Sequence, residues 1–162
     1  MARINENPNI CAFLDMIAHS EIGPALLAAS DDGYNVIVGS TEANPILFDD
    51  YSKHPARLIS PPIIAVPSTA AGRYQLLSKY FPVYRDQLGL PDFGPESQDR
   101  IAIQLIKECK AYNLVIAGDI ENAIVQCPSR WASLPGAGYG QHENKVEDLL
   151  NAYSAAGGSI QN

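Results

Sequence analysis

A glutamate stands where the first amphipathic pattern of the chain ends, in the stretch His19-Ser20-Glu21. Gly23 and Pro24 then prevent the preceding helix from continuing. Unsatisfied carbonyls at a helix C-terminus disfavour an ionised carboxylate, and partial burial acts in the same direction. We therefore predict a raised pKa for Glu21, which suits a general acid, although a glutamate at a helix end is more commonly a solvated surface residue.

Other catalytic patterns are missing from the sequence. We find neither a Ser/His/Asp elbow nor a phosphate-binding glycine loop, and the three histidines lack the i, i+4 spacing of a zinc site. The cysteines show no paired ligand spacing, and Cys11 and Cys127 lie on apolar faces that favour buried thiols. We therefore expect no metal and no cofactor.

The remaining carboxylates, aromatic side chains and long loops suit polysaccharide chemistry. In that chemistry a protonated acid donates to the glycosidic oxygen, while flat rings and amides hold the sugars. Asp49 and Asp50 are candidates for a second carboxylate, but Asp residues that leave a strand are common turn formers. Trp131 fits a core residue better than a sugar platform, because it precedes the glycine-rich loop.

The composition fits a single domain over residues 1–162. The chain has 162 residues and is 46% hydrophobic, and a domain of this size buries roughly 70% of its unfolded surface. Its formal net charge of -7 disfavours nucleic acid or an anionic membrane as the main partner. We see neither a signal peptide nor a membrane span, which predicts synthesis in the cytoplasm.

Local patterns predict two strands and a Pro-rich loop after the first helix. The strands are expected at residues 34–38 and 46–48, with a loose hairpin loop between them. Ser68 and Thr69 are predicted to cap a helix over residues 70–81, which Pro82 breaks before a shorter helix at 83–88.

Helices account for most of the other predicted elements, so the fold class is α+β. Asn7 and Pro8 suit the start of the first helix, and residues 26–30 fit either a helical turn or a loop. A buried central helix is predicted to start around Gly94, another helix after Gly118-Asp119, and a last one over residues 146–153.

Short strings in a fixed order cover nearly the whole chain, from about Ile10 to Gly158. The most specific is Leu134-Pro135-Gly136-Ala137-Gly138-Tyr139-Gly140-Gln141. The others are Ala12-Phe13-Leu14-Asp15-Met16, Ser20-Glu21, Gly33-Tyr34, Val36-Ile37-Val38-Gly39, Asp50-Tyr51-Ser52, His54-Pro55, and Ser68-Thr69 with Ala71-Gly72-Arg73-Tyr74-Gln75-Leu76-Leu77. Together they resemble the bacteriophage lambda lysozyme family.

This resemblance implies a lysozyme-like α+β fold, mostly helical, with a small antiparallel β-sheet and a substrate cleft between two lip loops. It also implies a lytic transglycosylase, which cleaves the bond between N-acetylmuramic acid and N-acetylglucosamine in peptidoglycan and leaves a 1,6-anhydromuramyl end. The single catalytic glutamate of the family aligns with Glu21. The residues that the resemblance implies for substrate binding are Tyr51, Ser68, Gly72, Tyr74, Gln75, Tyr139 and Gln141.

The sequence departs from the family pattern around the acid. Ile22-Gly23-Pro24 replaces the usual Gly-Thr, and His19 stands where a Trp is common. Asn35 replaces an Asp on the first strand, which removes another carboxylate near the expected cleft. Gln126 occupies the position of an expected arginine. The family's lambda member is basic, so the acidic charge of this chain predicts a stronger dependence of activity on salt or divalent ions.

Three functions remain open on the sequence. The first is a phage or prophage endolysin, monomeric, that waits in the host cytoplasm, is released by a holin and acts on peptidoglycan glycan strands from the periplasm. The second is a hydrolytic muramidase on the same fold. The third is a catalytically silent peptidoglycan-binding domain. In none of the three do we expect nucleic-acid binding or stable membrane association.

Overall fold

A computed structural model describes residues 1–138 and 143–161. Seven helices lie in these ranges and form most of the regular structure: α1 (Pro8–Ile22), α2 (Pro24–Ala28), α3 (Phe81–Leu88), α4 (Pro95–Glu108), α5 (Tyr112–Ala117), α6 (Ile120–Gln126) and α7 (Val146–Ala155). The chain divides into two compact units, one of Met1–Glu21 with Asp99–Asn162 and one of Ile22–Gln98. A single domain over 1–162 stays a prediction. Among the described helices, none has the length and apolar character to cross a membrane.

The first helix forms as its local signals predict. The Asn7 side chain accepts a hydrogen bond from the backbone N–H of Asn9 at 2.9 Å, so it caps the free N–H groups of the first turn. The helix ends at Ile22 because Gly23 has a φ of 81° and Pro24 then opens α2. Residues 26–30, which fit either a helical turn or a loop on the sequence, thus belong largely to helix α2. The predicted apolar stripe is fully buried, with 0% exposure at Ile10, Phe13, Leu14, Ile17 and Ala18.

The unit Ile22–Gln98 contains isolated antiparallel bridges where a small sheet was predicted. Val36 pairs with Leu47, as expected for the two predicted strands. Further bridges join Ile37 to Ala71, Ile59 to Ser68 and Ala71 to Leu76. Each bridge is isolated in the described residues, so the predicted pairing of residues 34–38 with 46–48 is confirmed at Val36 and Leu47, whereas the extended sheet is not confirmed.

The helix predicted over residues 70–81 is wrong. Ala71 and Leu76 exchange two backbone hydrogen bonds of 3.0 Å, which closes a turn instead of a helix. The turn needs left-handed backbone angles at Gly72 (φ 80°) and Gln75 (φ 50°), and a helix excludes such angles. Helix α3 starts only at Phe81, and Pro82 lies in its first turn, where its missing N–H costs nothing.

The other unit contains the buried helix α4 that the sequence predicts. Its apolar residues Ile101, Ala102, Ile103, Leu105 and Ile106 are at most 7% exposed. Helices α6 and α7 also lie where predicted, and the turn at Gly157 and Gly158 ends α7. The short helix α5 has no counterpart in the predictions.

Two local expectations in this unit need correction. The Asp119 side chain bonds to the Asn122 amide at 2.9 Å and makes no cap hydrogen bond to the backbone of α6. Cys127 is buried as predicted, but Cys11 is only half-buried. Its sulfur lies 3.7 Å from the carbonyl oxygens of Ile4 and Glu6. These residues are themselves half-buried and exposed, so the segment that carries them covers Cys11 only in part.

Candidate active site

Glu21 lies in the last turn of α1, one residue before the helix ends. The hydroxyl of Ser133 donates to Oε1 of Glu21 at 2.5 Å, and the backbone N–H of Ser133 points to the same oxygen at 3.4 Å. Oε1 is thus bound twice by one residue. The side chain of Glu21 is therefore held in one orientation, as a reacting acid requires.

The pKa of Glu21 is raised above its ordinary value. Burial of the carboxyl is the largest cause, since water no longer stabilises the charged form, and the two hydrogen bonds from Ser133 oppose the rise. The direction agrees with the prediction from the helix end. A carboxyl of this kind keeps its proton to a higher pH than an exposed glutamate, so it can act as a general acid.

Ser133 belongs to a loop that buried side chains anchor. Trp131 is 2% exposed and Leu134 is fully buried, so both lie in the core, as favoured for Trp131 from the sequence. The carbonyl of Cys127 accepts backbone hydrogen bonds from Arg130 at 2.9 Å and Trp131 at 3.4 Å. Ser133 stands between the two core residues, which fixes its position relative to α1.

The next part of the same loop is held by Glu143. Its carboxylate accepts the backbone N–H groups of Gly138 at 2.8 Å and Gly136 at 2.9 Å. These hydrogen bonds, that from Gly138 first, hold the pKa of the Glu143 carboxyl below its usual range, so it stays ionised. Tyr139 and Gln141, both predicted to contact substrate, lie outside the described residues.

The other predicted substrate residues all belong to the unit Ile22–Gln98. Tyr51 is half-buried, and its hydroxyl donates to Asp31 at 2.6 Å. Ser68 pairs with Ile59, and its hydroxyl accepts the backbone N–H of Ala70 at 3.2 Å. Their binding roles stay predictions.

The turn at residues 71–76 carries the remaining three. Gln75 donates its side-chain amide to the carbonyl of Gly72 at 2.9 Å, so it helps to close the turn. Tyr74 is 6% exposed, and Gly72 is buried. A Cβ at Gly72 would overlap the amide of Gln98, which gives a packing reason for glycine there. Contact of these three residues with a glycan stays a prediction.

An ion pair between a buried arginine and a half-buried aspartate in this unit was missed from the sequence. Arg73 is 1% exposed, lies 2.8 Å from Oδ1 of Asp32 through Nη1, and has its guanidinium 5.1 Å from the ring centre of Tyr34. Nη1 also bonds to the Asp32 carbonyl. Asn35, which replaces the family's Asp, accepts the backbone N–H of Asp31 at 2.9 Å. Both side chains thus hold the turn at residues 31–35.

Comparison with known proteins gives consistent relatives. The family model described as Endolysin matches residues 11–160. The chain is 49% identical over 162 residues to the endolysin of Escherichia phage P2, with 98% of each chain covered. It is 48% identical over 153 residues to the endolysin of Escherichia phage lambda, covering 93% of this chain and 92% of that one.

Solved structures of bacteriophage lambda lysozyme match nearly the whole chain. One, complexed with a chitohexasaccharide, has a TM-score of 0.88 and 47% identity, and another has a TM-score of 0.80 and 44% identity. Each match covers 98% of this chain and 99% of the other. The fold is therefore lysozyme-like.

Proposed function

Because the chain belongs to the endolysin family, whose members act on peptidoglycan, we propose that it cleaves the MurNAc-GlcNAc β-1,4 bond by lytic transglycosylation with Glu21 as the only catalytic acid and base. One observation carries this proposal above the rest. The carboxyl of Glu21 is desolvated and has a raised pKa, and Ser133 holds one of its two oxygens. We assign the proton exchange with substrate to the other oxygen, Oε2.

The chemistry follows from a single acid. Protonated Glu21 donates to the glycosidic oxygen, and the C–O bond to the muramic acid anomeric carbon breaks while the N-acetyl group assists at that carbon. The 6-hydroxyl of the same sugar then attacks the anomeric carbon, and its proton passes to the carboxylate of Glu21. The reaction thus ends with a 1,6-anhydro sugar and regenerated acid, without activated water.

Hydrolysis with inversion would need a second carboxylate as the base for a water molecule. The sequence resemblance supports the single-acid mechanism at one position, residue 35. Asn35 replaces an Asp of the family pattern, and the neighbouring Asp32 is paired with buried Arg73. We therefore favour transglycosylation over a muramidase.

The proposed substrate is the glycan strand of peptidoglycan. The lambda lysozyme was solved with a chitohexasaccharide, and this chain is 47% identical to it. We assign glycan contact to Tyr51, Ser68, Gly72, Tyr74, Gln75, Tyr139 and Gln141. As an endolysin, the monomer would reach the cell wall from the cytoplasm when a holin opens the inner membrane.

Digestion of purified sacculi followed by mass spectrometry of the released muropeptides tests the proposal. Anhydromuramyl ends are expected; ends heavier by one water and reducible with borohydride would show a muramidase, and no release would show a silent binding domain. Glu21→Gln should lower release by at least about 100-fold, as expected for loss of a general acid. Glu147→Gln, an exposed residue of α7, is the matched control and should keep full activity.

A further inference from the structure

A row of hydrogen-bonded side chains leads to Glu21 from Asn144. Nδ2 of Asn144 lies 2.9 Å from Oγ of Ser20, and Oγ of Ser20 lies 2.7 Å from Oγ of Ser133. Ser133 then donates to Oε1 of Glu21 at 2.5 Å. We call these four residues the Asn144 chain; all of them belong to the same compact unit.

The carbonyl groups around Asn144 determine which way its amide points. Nδ2 lies 3.3 Å from the carbonyl oxygen of Ser20 and 3.4 Å from that of Ser133. The backbone N–H of Asn144 also donates to the Ser133 carbonyl at 2.9 Å. An amide oxygen turned toward two carbonyl oxygens would be repelled, so the NH₂ group faces Ser20 and can only donate there.

The acceptor at one end, Oε1 of Glu21, and the donor at the other, Nδ2 of Asn144, agree on one direction of donation. Each serine hydroxyl has one hydrogen to donate. Ser133 uses its hydrogen on Oε1 of Glu21, so the 2.7 Å contact between the two hydroxyls is donated by Ser20. Ser20 has then used its own hydrogen, and its oxygen accepts from Nδ2 of Asn144.

We propose that Asn144 and Ser20 are positioning residues for Glu21: they orient the Ser133 hydroxyl so that Oε1 stays an acceptor and the transferable proton is carried on Oε2. This inference rests on the proposed acid role of Glu21. In the first step the Oε2–H bond breaks and the proton passes to the glycosidic oxygen. In the second step Oε2 takes the proton of the attacking 6-hydroxyl, while Oε1 keeps its bond from Ser133 throughout.

Charged residues next to Ser20 and next to Asn144 do not interrupt the hydrogen bonds that lead to Glu21. His19 precedes Ser20 on α1, and Glu143 and Lys145 flank Asn144. The Glu143 carboxylate is bound by the N–H groups of Gly136 and Gly138, and Lys145 is exposed. In the described residues, the pKa of Glu21 is moved by burial and by Ser133, without a charged group among the causes.

The test compares the pH dependence of kcat with a carbon NMR titration of the Glu21 carboxyl. Ser133→Ala should move the titration and the high-pH limb of kcat upward by roughly one pH unit, because a hydrogen bond to the charged form is lost. Asn144→Ala should move both in the same direction by less. Asn144→Asp replaces the donor with an acceptor and adds a negative charge, so it should move both further upward than Asn144→Ala does.

Conservative and remote variants serve as controls. Ser133→Thr keeps a hydroxyl and should restore the limb toward that of the unmodified protein. Asn151→Ala and Ser154→Ala change exposed residues of α7 and should leave kcat and its pH dependence unchanged.

Two results separate the failure of this inference from failure of the proposed function. If Ser133→Ala and Asn144→Ala lower the free energy of unfolding but leave kcat, its limb and the Glu21 titration unmoved, the residues are structural and the inference is overturned. If Glu21→Gln keeps its activity on sacculi, the proposed acid is wrong, and this inference fails with it. A shifted limb together with an inactive Glu21→Gln protein supports both.

Discussion

The hydroxyl of Ser133 lies 2.5 Å from Oε1 of Glu21, although 112 residues separate them in the chain. The contact joins the end of α1 to a loop anchored by Trp131 and Leu134, both in the core. The orientation of the acid therefore depends on the packing of the unit as well as on the end of its own helix.

The first prediction concerns the pH at which cleavage stops. Since the general acid must carry a proton and burial raises the pKa of Glu21, the rate constant should stay high at low pH and fall as pH rises through that raised pKa. Initial rates of anhydromuropeptide release, measured on sacculi at constant ionic strength, give the profile. A single descending limb near pH 4, the ordinary range of an exposed glutamate, would contradict a buried acid.

The second prediction concerns the ion pair of buried Arg73 with Asp32. The side chain of Arg73 is 2% exposed and that of Asp32 is 32% exposed, so the two partners depend unequally on the pair. Asp32→Asn leaves the charge of a buried guanidinium without this carboxylate, and we expect it to cost about 3 kcal/mol of unfolding free energy.

Arg73→Met is the companion variant of that prediction. It leaves a carboxylate that water reaches, and we expect it to cost about 1 kcal/mol less than Asp32→Asn. Urea denaturation of the two variants provides the measurement. Their free energies of unfolding are compared provided that both have the same m-value, the slope of free energy against urea. Equal costs, or a larger cost for Arg73→Met, would show that the desolvation of Arg73 is not the dominant factor.

The third prediction tests why the turn at residues 71–76 needs glycine. Gly72 combines a φ of 80° with a Cβ position that the Gln98 amide occupies. Gln98 in turn bonds to Arg73 N at 2.9 Å, Tyr34 O at 3.0 Å and Phe93 O at 2.8 Å, so it cannot move without losing these bonds. Gly72→Ala should therefore cost about 2–4 kcal/mol, from backbone strain and overpacking together.

Gly89→Ala is the matched control for that variant. Gly89 also has a left-handed φ, 63°, but a Cβ there meets nothing within 4 Å. It should cost only the backbone strain, about 1–2 kcal/mol. Similar costs for the two variants, measured by urea denaturation, would argue against a packing role for Gln98.

Local signals were enough to predict the first helix and the position of its acid. Asn7, Gly23 and Pro24 act within one turn of the helix ends, and the apolar stripe of α1 depends only on spacing. The same kind of signal misled at residues 70–81. There, Ser68 and Thr69 resemble a helix cap, but the turn is set by Gln98, which lies 25 residues beyond Arg73 in the chain.

In the candidate site, too, one residue could be predicted from local signals and its partners could not. Glu21 could be identified from its helix end and from a family motif, whereas its partners could not. Asn144 bonds to Ser20 across 124 residues, and no spacing rule connects positions that far apart. Ser133 directly precedes the glycine-rich string that begins at Leu134, but nothing in the sequence indicates that its hydroxyl faces the acid.

The fourth prediction concerns the two buried cysteines, which lie in the unit that carries Glu21. A hydrogen bond from the Cys127 thiol lowers the pKa of Cys109 to about 7, with a further contribution from Arg130, and the pKa of Cys127 is raised. The absorbance of the thiolate at 240 nm should therefore show one group that titrates near pH 7.

Cys127→Ala should move that titration upward toward the ordinary thiol range of about 8.5, because the donor to the Cys109 thiolate is lost. Cys11→Ser should leave it in place, since burial raises the pKa of Cys11 above its ordinary value. A titration near pH 7 that persists in Cys127→Ala would show that Arg130, paired with Glu108 at 3.1 Å, lowers the pKa of Cys109 without Cys127.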